Sequence, residues 1–373
     1  MEPHTKAKHT ILENYLKAWF PIISKNTEKI IYFDGFAGPG IYDDGSPGSP
    51  IISLNVAKNH TRFIDLADEI IFYFVEIEKD RAKHLENLIE KSYKAQKDDK
   101  GWYTIDSKLK VSIVQDDFNN IIGKILDNIE KEKANLAPTF VFVDPFGYKE
   151  IIPKNLARVL YYKKCELLIT YMVGFMDRFL SDKLHGPIDS ILGLSDQQLR
   201  NIEQMPDKED REMELLRALN DRILSEEKKL DDSSSEIYHI YFKVKDKQNN
   251  TMYYLVYFTK SITGMRVMKD AMFNVGNYGR YFFTDYGFVK SQTSIIDYTN
   301  NKFWHNQAAE YLVNTFRGQT VTMREIESQI ILKSPWIWRK HILSILEQTN
   351  KITVDRGNSR KNSYPDDARI KFK

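Results

Sequence analysis

Two short stretches hold residue types that could do chemistry. The first, Asp34-Gly35-Phe36-Ala37-Gly38-Pro39-Gly40, follows directly on the apolar run Ile30-Ile31-Tyr32-Phe33. An apolar run of β-branched and aromatic residues reads as a buried strand, and glycines at its end read as a tight turn whose bare backbone can touch a ligand. A nucleotide-like cofactor would sit there. The second stretch, Asp144-Pro145-Phe146-Gly147-Tyr148, follows the apolar Thr139-Phe140-Val141-Phe142-Val143. A strand-end carboxylate and a prolyl carbonyl are both hydrogen-bond acceptors. Together they suit an aromatic amine, whose lone pair is delocalised and whose N–H groups must be held before its nitrogen can attack. Pro145 fixes the backbone there, and Phe146 or Tyr148 could stack on an extruded base. An Asp-Pro pair is also an ordinary turn, but its place after the glycine stretch weighs toward chemistry.

Both stretches need strands that end side by side. The spacing predicts a helix over Thr5 to Ile23, placing Ile11, Leu12, Tyr15, Leu16, Trp19 and Phe20 on one face ahead of the first strand. Lys8 and His9 open that helix, and spacing alone assigns them no ligand role. After the glycine turn, Ser49 is a good N-cap and Pro50 suits the first helical position, so a helix starts there with its positive end toward a ligand carboxylate. A second strand, Ile70 to Val75, ends at Glu76, whose carboxylate is placed to accept both hydroxyls of a ribose. A third, Val111 to Val114, leads to Asp116-Asp117-Phe118. One of these acids could meet an adenine amine while Phe118 packs on the ring, although paired aspartates also start helices. Strands at Glu166 to Met172, Ile237 to Lys243 and Met252 to Phe258 follow, the last two forming an antiparallel hairpin.

An NAD fingerprint needs G-x-G-x-x-G with an acid about 20 residues on, and here Asp43 stands where the third glycine belongs. Dinucleotide binding is the weaker reading. The pattern Asp34-x-Phe36-x-Gly38-x-Gly40, with Ala37 inside it, instead resembles the first motif of the S-adenosylmethionine (SAM) dependent methyltransferases that act on exocyclic amines. Those enzymes carry D-P-P-Y where this chain has Asp144-Pro145-Phe146 and then Gly147 before Tyr148, so the stacking residue stays open between Phe146 and Tyr148.

Composition bounds the rest. The 373 residues are 42% hydrophobic and 28% charged, enough for two domains with separate cores. A single cysteine, Cys165 in an apolar run, excludes a disulfide framework and a cysteine-based zinc cluster within the chain, so no metal site is expected. No apolar run approaches the ~20 residues of a membrane span, and a cytoplasmic location without membrane contact is expected. Charge is segregated: residues 302–373 hold 13 Lys and Arg against 7 Asp and Glu, while residues 181–236 hold 15 acids against 8 bases. The acidic stretch, with Leu215, Leu216, Leu219, Ile223 and Leu224 at helical spacing, reads as a helical insertion that caps the enzyme, a solvated lid or docking surface.

The basic tail reads as helices at Trp304–Phe316, Thr322–Ile331 and Pro335–Gln348 followed by two short strands, the outline of a winged helix. Arg339, Lys340, Arg360 and Lys361 would touch phosphates if it binds nucleic acid, while Trp336 and Trp338 belong in its core. The expected organisation is an α/β Rossmann-like methyltransferase domain over 1–275 with the insertion at 181–236, an irregular linker over 276–300, and a winged helix-turn-helix domain over 301–373.

Lys8-His9-Thr10, Tyr32 to Tyr42, Pro47-Gly48-Ser49-Pro50-Ile51-Ile52 and Asp144-Pro145 resemble the large-subunit ribosomal RNA adenine methyltransferase. With Asp144 to Tyr148 and Gly264-x-x-Val267-Met268-Lys269-Asp270-Ala271-Met272, most of the chain is more similar still to the three-Cys-motif partner family (TcmP). The resemblance implies a SAM-type Rossmann domain plus a winged helix, with a separate three-Cys-motif protein as partner. It also makes Lys8 and His9 candidate cofactor or substrate contacts. The function expected is methylation of an exocyclic amine in nucleic acid, adenine favoured. The alternatives are a SAM-binding, non-methylating subunit that recruits the three-Cys-motif protein to nucleic acid, and a small-molecule methyltransferase.

Overall fold

The computed structural model describes residues 1–147, 150–180, 191–230, 236–276, 282–284, 295–360 and 363–373. A nine-stranded sheet runs in the order β3-β4-β2-β1-β5-β6-β8-β7-β9. Its parallel centre consists of β1 (Lys29–Asp34), β2 (Glu69–Val75), β4 (Leu109–Val114), β5 (Thr139–Val143) and β6 (Glu166–Tyr171). β8 (Thr251–Thr259) enters antiparallel between β6 and β7 (Tyr238–Lys245). The chain builds outward from β1 through β2 to β4, then returns to lay β5 and β6 on the other side. The strand order therefore reverses between β1 and β5, and in open α/β sheets a ligand binds outside the carboxyl ends at that point. The expected α/β class with its terminal hairpin is the observed one.

Alternation along the strands feeds two cores, because successive side chains point to opposite faces. On one face Tyr32, Phe72, Phe74 and Phe140 meet α1 (Pro3–Ile23), α2 (Ser49–Lys58), α3 (Lys79–Tyr93) and α9 (Ile262–Val275). On the other, Phe33, Val141, Val143 and Ile169 meet α4 (Phe118–Lys131), α5 (Pro153–Tyr161) and α6 (Val173–Leu180). That second face also takes α7 (Asp196–Glu203) and α8 (Lys208–Lys228), with Leu215, Leu216, Leu219 and Ile223 fully buried. The acidic stretch was expected to be a solvated cap. Its leucine stripe instead makes α8 part of the wall of the sheet's core; residues 181–190 and 231–235 of that stretch lie outside the described residues.

Two edge strands were not expected, β3 (Trp102–Thr104), antiparallel to β4, and β9 (Phe282–Thr284), parallel to β7. Neither is long enough to show a periodicity. β9 falls inside 276–300, where an irregular linker was expected, as does the start of α10 (Ile295–Phe316). The rest of that linker, 277–281 and 285–294, lies outside the described residues.

The C-terminal segment packs α10, α11 (Met323–Lys333) and α12 (His341–Gln348) against an antiparallel sheet β10-β12-β11, formed by Thr320–Thr322, Arg369–Phe372 and Ile352–Asp355. A Thr322–Glu325 capping box starts α11. The helix expected over Pro335–Gln348 begins only at His341, because Ser334-Pro335-Trp336 turns after α11. Trp338 is buried and Trp336 packs beside it, as expected. No described helix is long and apolar enough to cross a membrane.

Candidate active site at the reversal of strand order

Asp34 ends β1 and Asp144 follows β5 by one residue, and because β1 and β5 pair in parallel the two tips are neighbours. Gly35 N–H donates to the Phe142 carbonyl at 2.9 Å, tying the glycine turn to β5. Ala37 N–H donates to the Val75 carbonyl at 2.9 Å, tying it to β2. The turn takes positive φ at Gly38 (62°) and Gly40 (84°), the region a side chain avoids. A Cβ at Gly38 would meet nothing within 4 Å, so bare backbone there faces open space.

Glu76, expected to hold a ribose, sits at the tip of β2 and is buried. Its carboxylate accepts the N–H of Gly38 and that of Glu78, both at 2.8 Å. It therefore pins the glycine turn, with lone pairs left for a hydroxyl. Ser49 was expected to cap α2, but Gly48 is the N-cap and Ser49 the first helical residue, its hydroxyl turned toward Asp34. Asp117 caps α4 by accepting the Asn120 N–H at 3.1 Å. Asp116 holds the Asn120 amide at 2.9 Å with Lys124 at 3.5 Å, and stays partly exposed. Phe118 was expected to lie on a ligand ring. It is 1% exposed and packs beneath Gly35, where a Cβ would come within 2.5 Å of its ring, and against Phe33 and Phe36.

Lys8 and His9 are brought into the site. A helix of 21 residues is about 31 Å long, and α1 runs back against β1 so that its first turns reach the strand tips. The Lys8 ammonium forms an ion pair with Asp144 and lies 5.4 Å from the centre of the Tyr253 ring. His9 is buried against Tyr42, ring centroids 5.7 Å apart. Three buried polar atoms here have no hydrogen-bond partner among the described residues: His9 Nδ1, Tyr32 Oη and Asp34 Oδ2. Burial, with Lys8 adjacent, lowers His9 to about 4 despite Asp144, so the ring is neutral near pH 7. Burial raises Asp34 to about 7, partly offset by Ser49 and the Phe36 N–H.

Beside these tips opens a cleft of about 310 Å³, walled by Gly35 and Phe36 on one side and Phe146 on the other. Five carboxylates (Glu76, Glu78, Asp116, Asp117, Glu150) line it against one guanidinium, Arg81. Phe146 is 72% exposed, and the Arg81 guanidinium lies 5.4 Å from its ring centre. Ile77 is also exposed at this cleft. Arg81, Ile77 and Glu150 line the cleft and Tyr253 lies beside Lys8, none of them expected there from the sequence, where Arg81 reads as a charge at the start of a helix. Ile77, an isolated apolar residue among charges just past a strand, was the one with a local signal. Tyr148 lies outside the described residues.

Of the residues expected to touch phosphates, Arg339 does not stand free. It pairs with Asp270 of α9 at 3.1 Å and donates to the Trp338 carbonyl. Lys340 donates to the Tyr364 carbonyl at 3.1 Å, and Arg360 is exposed. Lys361 lies outside the described residues.

No family model matches this chain, and no curated protein matches it. Among solved structures, the chain is similar to protein LPL1258 from Legionella pneumophila at 14% identity and TM-score 0.38, covering 69% of this chain and 85% of that one. It is similar to an O-methyltransferase from Bacillus cereus in complex with SAH at 10% identity and TM-score 0.32, covering 66% and 80%. A third likeness is to the O-methyltransferase TomG from Streptomyces achromogenes, in complex with SAM, at 10% identity and TM-score 0.33, covering 67% and 80%. Likenesses this slight carry no weight for the chemistry, which has to stand on the chain's own residues.

Proposed function

We propose that the protein is a SAM-dependent methyltransferase acting on an exocyclic amine of a base in nucleic acid, adenine favoured. The observation that carries this reading is the adjacency of the Asp34–Gly40 turn and Asp144-Pro145 at the reversal of strand order. A cleft lined by five carboxylates disfavours a dinucleotide's pyrophosphate and favours a sulfonium cation. The orphaned Asp34 Oδ2 and the open space at Gly38 are what a ligand's amino group and a closely approaching chain would fill.

Bound there, SAM supplies an electrophilic methyl group. Glu76 would accept from the ribose hydroxyls while it holds the glycine turn. Ile77 and Phe146 offer apolar faces to planar rings, with Arg81 steadying Phe146. Asp144 and the Pro145 carbonyl would accept the N–H groups of the target amine, and Lys8 gives Asp144 a counter-ion until that amine arrives.

The same ion pair also favours a second reading, in which Lys8 keeps Asp144 occupied. The chain would then bind SAM without transfer and serve as partner to a three-Cys-motif protein. Labelled SAM presented with DNA, RNA and cell metabolites separates the readings. Label should enter nucleic acid and fall at least ~100-fold in Asp144→Ala, with calorimetric SAM binding kept. SAM binding with no transfer to any acceptor would establish the second reading, and label confined to metabolites would make the substrate a small molecule.

A further inference from the structure

A groove with no acid in its lining lies in the C-terminal segment. It has a volume of about 510 Å³ and runs between the start of α12, at Lys340, His341 and Ser344, and the turn joining β11 to β12, at Ser359, Ser363 and Tyr364. Its lining consists of an ammonium, an imidazole, three hydroxyls, a tyrosine and Pro365. The exposed Arg360 stands on the same turn.

One acid behind this wall is already neutralised, while Asp366 and Asp367, both exposed, follow Pro365 in the chain. Glu347 is held by the Arg356 guanidinium and accepts the Tyr364 hydroxyl at 2.8 Å. Arg356 also donates to the Ser363 carbonyl at 2.8 Å and lies 5.1 Å from the Tyr364 ring centre. That lattice fixes the turn from behind. Lys340 spans the groove to the Tyr364 carbonyl at 3.1 Å, and Ser363 Oγ donates to the Arg360 carbonyl at 2.6 Å. Lys340 keeps N–H groups for a ligand, while Ser363 spends its single proton on the Arg360 carbonyl. The donors this frame offers are therefore the Lys340 ammonium and the Ser344 and Ser359 hydroxyls, in a segment with 13 bases and 7 acids.

We infer that this groove seats the phosphodiester backbone of the nucleic acid whose base enters the cleft. Single donors spaced along an open trough suit phosphate oxygens that recur along a chain, and they carry no base-reading pattern, so the contact positions the polymer without choosing its sequence. A protein partner would need apolar surface, and here the one large ring, Tyr364, is 5% exposed and committed to Arg356 and Glu347. Arg339 takes no part, since Asp270 holds it. The choice of polymer rests on the proposed methylation of nucleic acid.

The test uses the full chain and fluorescein-labelled 20-residue duplex DNA, duplex RNA and single strands, read by anisotropy across a salt series. The double variant Lys340→Ala/Arg360→Ala should lose about tenfold or more in affinity for every sequence of the preferred polymer. The slope of log affinity against log salt should become shallower by about two, one for each phosphate contact removed. Calorimetric SAM affinity should not change. Because Lys340 also braces Tyr364, Arg360→Glu alone is run beside it and should weaken binding without moving the melting temperature. Wild-type affinity and salt slope in both variants would overturn the inference, as would binding of an acidic peptide but of no polynucleotide. If the variants lose nucleic acid but wild type transfers no label, the methylation reading fails and the groove stands; if Asp144→Ala abolishes transfer while the groove variants bind normally, the reverse holds.

Discussion

His9 and Asp34 titrate in opposite senses within one buried cluster. His9 is lowered from 6.5 to about 4, chiefly by burial. Between those values the unfolded chain binds the extra proton, so the stability His9 contributes is complete above pH 6.5 and is lost as pH falls toward 4. Asp34 is raised from 3.8 to about 7, again chiefly by burial. Through that window the folded chain holds the proton, so Asp34 makes the fold less stable as pH rises. Asp34→Asn removes this opposition. Urea midpoints at pH 4.5 and 7.5 should show the variant's stability difference shifted in favour of pH 7.5 by roughly 3 kcal/mol relative to wild type. An unchanged pH dependence would show that Asp34 is ionised throughout. The same carboxyl, kept dry at a strand tip with one oxygen unpartnered, is the group best placed to gain a hydrogen bond when a ligand arrives.

At the level of elements, the glycine turn does two different jobs with the same residue type. Gly38 has positive φ and open space, so Gly38→Ala meets only the left-handed backbone penalty, about 1–2 kcal/mol. Gly40 has positive φ and would place a Cβ 2.6 Å from Leu85 Cδ1 of α3, adding an overpacking cost of about 1–3 kcal/mol. Chemical denaturation should therefore rank Gly40→Ala clearly below Gly38→Ala in stability, while SAM affinity should suffer in Gly38→Ala despite its milder folding defect. Equal destabilisation by the two would mean that α3 does not pack on the turn as described. The helix before β1 matters as much. Its direction delivers Lys8 to Asp144, 136 residues away in sequence.

Across the whole molecule, α9 is the beam shared by the sheet and the C-terminal segment. One side packs on α1 and, at Gly264, comes down on the sheet, where a Cβ would come within 2.6 Å of the buried Glu166 carboxylate of β6. The other side sends Met265 and Phe273 into the C-terminal core. Lys269 crosses the seam, donating to the carbonyls of Ile330, Ile331 and Ser334 at 2.7, 3.0 and 2.5 Å at the end of α11. Asp270 adds the pair with Arg339. Lys269→Met leaves those carbonyls without their donor and should cost about 3 kcal/mol, concentrated in the C-terminal segment. Calorimetry should then resolve an early C-terminal transition ahead of the sheet's own. A single unshifted transition would show that the seam does not depend on Lys269.

Legible in the sequence were the features whose cause is local. An apolar run followed by glycines, or by Asp-Pro, fixes a strand and its turn through backbone sterics alone, and the order of such runs implied the sheet. What only the tertiary structure decided depends on partners distant in sequence. Lys8 met Asp144 because α1 folds back along β1; Phe118 was drawn under Gly35 because the turn has no side chain to keep it out; Arg339 was claimed by Asp270; and the acidic stretch became core because its leucines had a sheet face to cover. Charge and residue type state what a side chain is able to bind, but the packing of elements far apart in sequence determines which of its offers is taken.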